Sequence, residues 1–340
     1  MKRSPTRLGA ALLFFLLPLV AHEADAQETA PDSERNSAGS AVEAATFLLV
    51  PVGARSVGLG GAVSASRGDI EGSLWNPASL AGLERSAVFL MGGQDFAADS
   101  RVIGGIVAWH ALRVGGTVLH YDLGQVEARD EENQSLGTIE PSQTAFILSA
   151  AYPVAAWLDL GASWKLLRLS SSCSQACGAL DDSSTGHAFD LGAVATLPGN
   201  QGVRAGLLFR NLGSGIGYGG GPSDPLPARV RLGVELDMPT AVSSPDAWAG
   251  GDVGLLLRLD VQETLSEFDD LDAHFGAELE WRQVLLVRGG YAWSSEGRSG
   301  PTLGIGIRFK SLILDLGYGF NDFAGFDSGT PLQLSVGFKL

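Results

Sequence analysis

The chain has 340 residues, 45% of them apolar and 18% charged, with a formal net charge of −15 and 46 glycines. So acidic a protein has no general attraction for nucleic acid, and its glycines fall inside patterned segments rather than in low-complexity linkers. Beyond the N-terminus no apolar run reaches the roughly 20 residues a spanning helix needs, which excludes a helical membrane protein.

Lys2, Arg3 and Arg7 precede an apolar run from Leu8 to Ala21, interrupted by Pro18 and followed by Ala24-Asp25-Ala26. This is the pattern of a secretory signal peptide cleaved after Ala26, so residues 1–26 are set apart from the fold. Residues 27–45 are small and polar and read as a flexible leader. Residues 46–84 are glycine-rich and apolar without a sustained period of two, and read as a compact hatch. Within it, Pro77 fits the first turn of a short helix running to Leu83, and the Asn76 side chain is placed to cap it.

From residue 85 to 340 the pattern is that of strands. About fourteen are expected, near 86–94, 101–109, 113–122, 142–152, 157–169, 187–197, 203–211, 228–237, 250–261, 273–281, 284–293, 301–309, 312–320 and 331–340. The last alternates without error: Leu332, Leu334, Val336, Phe338 and Leu340 on one face, Gln333, Ser335, Gly337 and Lys339 on the other. In the later strands one face holds residues such as Leu232, Leu257, Leu279, Ile305 and Leu316, and the opposite face holds Arg231, Glu235, Arg258, Glu278, Arg288 and Asp315 among many glycines. Short turns alternate with long polar loops, expected near 95–100, 123–141, 170–186, 212–227, 262–272, 294–300 and 321–330. Together these features describe an all-β fold: a transmembrane antiparallel β-barrel of about fourteen strands in the outer membrane, apolar outside and charged inside. Glycine inside a strand marks close backbone approach, so the lumen is expected to hold the hatch. The first strands alternate less cleanly, and their facing stays open.

Three motifs in residues 47–83 are distinctive: Pro51-Val52-Gly53-Ala54-Arg55, Gly58-Leu59-Gly60-Gly61-Ala62 and Trp75-Asn76-Pro77-Ala78. With Arg210-Asn211-Leu212-Gly213, Arg288-Gly289-Gly290-Tyr291 and the closing strands, they resemble the PorV/PorQ family of outer-membrane proteins, which is related in architecture to FadL-type transporters. The resemblance implies a fourteen-stranded barrel with an N-terminal hatch. It also implies a non-enzymatic partner in protein export, of the type IX secretion kind, contacting secreted proteins or secretion subunits. The alternative is a FadL-like conduit for hydrophobic small molecules.

In the hatch, Arg55, Trp75, Asn76 and Pro77 are the candidates for ligand binding or gating. Arg55 is expected to pair with a lumenal acid such as Asp315 or Glu278, because a buried guanidinium needs a partner. Cys173 and Cys177 share a polar loop and, in an exported protein, read as a local disulfide; two thiols with His187 nearby make no four-ligand metal set. His120, His187 and His274 lie near Asp122, Asp190 and Asp272, but no hydrolase motif accompanies them. No cofactor is expected, and the membrane lipid is the one certain contact of such a barrel. An export partner would expose an apolar patch on its outer loops, drawn from Leu212, Ile216, Tyr218, Leu226, Phe323 and Phe326.

Overall fold

In a computed structural model, which describes residues 43–95, 98–175, 182–199, 202–217, 223–240, 253–265, 271–295, 299–320 and 331–340, fourteen strands close into an antiparallel barrel. The strands are β1 (Ala87–Asp95), β2 (Ala98–Trp109), β3 (Leu112–Asp122), the short β4 (Val126–Arg129), β5 (Ser135–Ala155), β6 (Leu158–Gln175), β7 (Asp182–Thr196) and β8 (Val203–Leu212). The two-residue β9 (Ile216–Gly217) and β10 (Ser223–Asp224) form a separate ladder, followed by β11 (Arg229–Thr240), β12 (Val253–Thr264), β13 (Asp272–Trp281), β14 (Leu285–Ser294), β15 (Gly300–Phe309), β16 (Leu312–Gly319) and β17 (Leu332–Lys339). Closure comes from β1 pairing with β17, Ala87 opposite Lys339, and from β3 pairing with β5, Arg113 opposite Ala151. No helix among the described residues is long and apolar enough to cross a membrane.

Parity sets the wall. Leu232, Leu279, Leu303 and Leu334 point out and are exposed, whereas Arg231, Glu235, Glu278, Arg288 and Asp315 on the alternate positions are buried in the lumen. In β1 and β2 both faces are apolar: Val88, Leu90 and Ile103 face outward while Phe89, Met91, Val102 and Ile106 are buried inside. Exposed aromatics ring both ends, with Trp109, Tyr152, Trp157, Trp281 and Phe309 near the short turns and Phe189, Phe275, Tyr291, Trp293 and Phe320 near the long loops.

Parts of two expected loops, 123–141 and 170–186, are strand instead. Ser135–Pro141, Ser170–Gln175 and Asp182–Gly186 prolong β5, β6 and β7, giving strands of 21, 18 and 15 residues. Apart from Leu136 and Ile139 these extensions carry small and polar residues on both faces and no sustained alternation to read, but their ladder is intact from Gly137↔Gln175 to Ser171↔Asp182. Likewise 95–100 is no long loop, because Asp95 pairs with Ala98.

Residues 43–83 fill the lumen. A five-residue helix, α1 (Ala54–Gly58), lies along β15 and β16, and a 3-10 helix (Pro77–Gly82) lies against β5, β6 and β7. The approach is as close as backbones allow: a Cβ on Gly290 would stand 2.3 Å from the Gly60 nitrogen, and one on Gly161 2.4 Å from the nitrogen of Ala78. Leu59, Leu74, Leu80 and Leu83 of the hatch join Phe89, Ile106, Leu119, Ile147 and Leu167 of the wall in one apolar core. Backbone amides of Val63 and Ser64 donate to the Asp260 carboxylate at 3.0 and 2.9 Å, and the Ala54 amide donates to Ser335 Oγ at 2.8 Å. Hence the hatch is held by hydrophobic burial on one side and by polar contacts on the other.

Candidate functional site

Among the described residues, two cavities flank the hatch toward opposite ends of the barrel, and a third of about 20 Å³ lies between Phe47, Leu74 and Trp75 of the hatch and Leu119, Ile147 and Lys165 of the wall. The cavity at the long-loop end has a volume of about 130 Å³ and lies between the hatch and the ends of β8 and β11–β16. Leu49, Val50, Pro51 and Val57 of the hatch give it an apolar floor, with Trp293 on the wall. Three arginines, Arg210, Arg229 and Arg231, line it as well. The guanidinium carbons of Arg210 and Arg231 both lie over the Trp75 ring, 5.5 and 5.4 Å from its centroid. Such cation–π contacts keep the arginine heads facing the cavity without consuming their hydrogen-bond donors.

Part of the polar lining is unused. Arg210 Nε, His274 Nε2, Thr264 Oγ1 and Thr302 Oγ1 are buried atoms without a hydrogen-bond partner. Arg210 donates through Nη2 to the Leu48 carbonyl at 2.5 Å, Arg229 pairs with Glu43 at 2.7 Å, and His274 Nδ1 lies 2.7 Å from the Gly60 carbonyl oxygen. Buried donors left empty are costly unless something fills them. The arrangement therefore suits a small molecule with an apolar body and an electron-rich group.

The second cavity, about 200 Å³ at the short-turn end, is polar. Arg55, Arg67, Asp69, Glu71, Arg308 and Lys339 border it. Arg55 pairs with Asp69 within the hatch and lies 3.5 Å from Glu278 on β13. Asp315 is engaged by Arg288 at 2.6 Å instead. Burial works against the charge on Arg55, but Asp69, Glu278, Glu235 and Glu71 outweigh it and hold its pKa well above the ordinary value. Glu71 shows the opposite balance. Its Oε1 accepts from Ser335 Oγ at 3.2 Å, Oε2 has no hydrogen-bond partner, and burial with Asp69 and Asp315 nearby pushes the carboxyl up to about 8.

The four hatch candidates are thus dispersed. Arg55 belongs to the short-turn cavity and Trp75 to the long-loop cavity, where its Nε1 also donates to the Val52 carbonyl at 3.0 Å. Asn76 Oδ1 accepts from the Ala78 amide at 3.0 Å and Nδ2 donates to the Ser64 carbonyl at 2.7 Å, while Pro77 opens the 3-10 helix. Asn76 Nδ2 also reaches the Ala193 carbonyl of β7 at 3.3 Å, so the residue ties the hatch to the wall as well as capping its helix. The three histidines stay apart: His120 lies 2.9 Å from Thr144 Oγ1, His187 stacks on Trp164, and His274 faces the hatch. Among the described residues no group of three or more His, Cys, Asp or Glu side chains converges as a metal site. Cys173 stands on β6, and Cys177, Tyr218, Phe323 and Phe326 lie outside the described residues. The expected docking patch loses two members, since Ile216 and Leu226 are buried against the inner wall. Arg210, Arg231 and His274, far apart in the chain, carried no shared motif that could have announced the long-loop cavity.

No protein-family model matches the sequence, and no curated protein is significantly similar to it. Solved structures match in fold. TbuX, a toluene transporter of Ralstonia pickettii, aligns with a TM-score of 0.58 over 86% of this chain and 100% of its own at 14% identity. TodX, the toluene transporter of Pseudomonas putida, gives 0.57 over 83% and 95% at 13% identity. A FadL homologue of Pseudomonas aeruginosa gives 0.50 over 85% and 99% at 13% identity. The chain has the fourteen-stranded barrel fold of FadL-type transporters.

Proposed function

We propose that the protein is a non-enzymatic outer-membrane conduit for small hydrophobic molecules, with the long-loop cavity as its loading site. The observation that carries the reading is the Trp75 ring under two arginines in a cavity whose floor is apolar and whose buried donors are unfilled. The apolar outer belt between two aromatic rings supports the membrane placement. Toluene transporters share the fold, which supports apolar cargo. The arginines add a preference for cargo with an anionic or hydrogen-bond-accepting group. Export partnership, the other expectation, has the motif resemblance in its favour, but Ile216 and Leu226 are not displayed for a protein to grip.

Binding of benzoate and of toluene to the detergent-solubilised barrel, followed by calorimetry, tests the reading. Benzoate is expected to bind more tightly, and Arg210→Met to weaken it about tenfold while leaving toluene unchanged, the loss expected for one charged hydrogen bond. Absence of binding by either compound, with stoichiometric secreted proteins retained on purification from native membranes, would replace the conduit by the export role.

A further inference from the structure

The short-turn rim is chemically lopsided. Three of its turns repeat one device, an exposed aromatic residue followed by a cationic or ionisable residue in the left-handed conformation: Trp109-His110, Trp281-Arg282 and Phe309-Lys310, with φ of 52°, 52° and 54° at the second residue. In each the second side chain lies back on the first ring. Arg282 stands 5.1 Å from the Trp281 centroid, Lys310 Nζ 5.4 Å from the Phe309 centroid, and the Trp109 and His110 rings are 5.5 Å apart. Lys339 and the exposed Arg85 lie between the Phe309-Lys310 and Trp109-His110 turns around the rim, because β17 pairs with β1. Basic side chains therefore recur along the rim from β13 through β17 to β3, with Glu84 next to Arg85 and Glu280 paired with Arg308 as the acids among them.

Backbone bonds lace this sector together. The Arg308 amide donates to the Val284 carbonyl at 2.7 Å, Lys339 to Ser311 at 2.8 Å, and Leu340 to Ser86 at 2.8 Å, while Ser86 Oγ accepts from the Ala108 amide at 3.0 Å. Across the barrel the β5–β6 turn, Ala155-Ala156-Trp157-Leu158, holds an aromatic residue but no cation, and the described residues of the β7–β8 turn, Leu197–Gly199 and Gly202, hold none either. A chain with a net charge of −15 has thus placed basic side chains along this arc of the rim, with Arg282 and Lys310 each beside an exposed ring.

We infer that this arc, from the β13–β14 turn to the β2–β3 turn, docks anionic phospholipid headgroups of the adjoining leaflet. The lipid phosphate would meet Arg282, Lys310 and Lys339 while Trp281, Phe309 and Trp109 rest at the acyl boundary. Arg282 and Lys310 are held at the rim by their own rings, so little of their side-chain freedom is lost on contact. This inference rests on the barrel spanning a membrane, and a juxtamembrane basic residue strengthens contact with anionic lipid by about fivefold.

The test uses the full barrel reconstituted in vesicles containing brominated phosphatidylglycerol or brominated phosphatidylcholine, with tryptophan quenching as the readout. Brominated phosphatidylglycerol is expected to quench severalfold more effectively at equal mole fraction, with the preference fading in high salt. In Arg282→Gln/Lys310→Gln, with heat-modifiable migration confirming a folded barrel, the preference is expected to disappear and quenching by phosphatidylcholine to persist. Equal quenching of the unsubstituted protein by both lipids would overturn the inference, as would an undiminished preference in the double variant. Quenching by neither lipid would instead overturn the membrane reading beneath it.

Discussion

The two halves of the lumen wall hold the same hatch by different physics. On β1–β3, β5 and β6 the inner face carries Phe89, Met91, Val102, Ile106, Leu119, Ile147 and Leu167, and the hatch packs there mainly as into any protein core, with the Arg67–Asp159 ion pair and the Ser73–Thr117 hydrogen bond at its polar points. From β8 and β11 to β16 the inner face carries an alternating ladder. Arg204 and Arg258 grip Glu235, Arg258 and Arg288 reach Glu278, and Arg288 reaches Asp315. Arg55 of the hatch joins this ladder through Glu278. Apolar packing has no knob that salt or pH can turn, whereas a buried ladder stands or falls with each partner. The cavities of about 130 and 200 Å³ border this charged half, whereas the space against Leu119 and Ile147 on the apolar half is about 20 Å³.

The largest effect is expected from removing one rung. Arg288→Ala leaves Asp315 without its ion-pair partner in a buried setting and takes from Glu278 one of its three arginines, Arg55 and Arg258 remaining, and the cost is roughly 3–5 kcal/mol. Urea unfolding of the barrel refolded into bilayers measures it. A loss below about 1 kcal/mol would mean that water, and not Arg288, neutralises the ladder. On the apolar half, Leu167→Ala, at a side chain with no exposure, is expected to cost roughly 2–5 kcal/mol through lost burial and a cavity. Its effect should be the same in low and high salt, and a strong salt dependence would erase the contrast between the halves.

This contrast also governs what could be read without the structure. The later strands announced themselves because an apolar outside and a charged inside give a clean period of two, as in Leu232, Val234 and Leu236 against Arg231, Gly233 and Glu235. The facing of β1 and β2 stayed open for the same physical reason that they bind the hatch: Val102 and Ile106 inside are as apolar as Ile103 and Val107 outside. The outer halves of β5–β7 were hidden because Ser170, Ser171 and Ser172 look alike on both faces. Lumenal glycines spoke of close approach, and Gly161, Gly206, Gly276, Gly290 and Gly317 do lie under hatch backbone. The long-loop cavity was illegible, since it is assembled from the hatch and seven strands and only the closed barrel brings Arg210, Arg231 and His274 to Trp75.

The smallest change, and the most discriminating, concerns Glu71. Its carboxyl sits against Gly53 with Asp69 and Asp315 nearby, opposed by Arg55 and Arg288, and is raised from an unfolded value of 4.5 to about 8. A raised acid binds its proton more tightly in the folded chain than in the unfolded one. Between pH 4.5 and 8 the folded state therefore holds more protons, and stability falls as pH rises through that window. Glu71→Gln, an isostere of the protonated acid, should differ from the parent by no more than about 1 kcal/mol near pH 5, where the parent carboxyl is protonated and makes the same hydrogen bonds. At pH 9 the variant should be the more stable of the two, because the parent must then hold a carboxylate whose Oε2 nothing satisfies. Urea midpoints across pH 5 to 9 read both arms. Parallel profiles for parent and variant would show that Glu71 stays ionised throughout, and that the charged half of the lumen holds the hatch by fixed ion pairs with no protonatable latch among them.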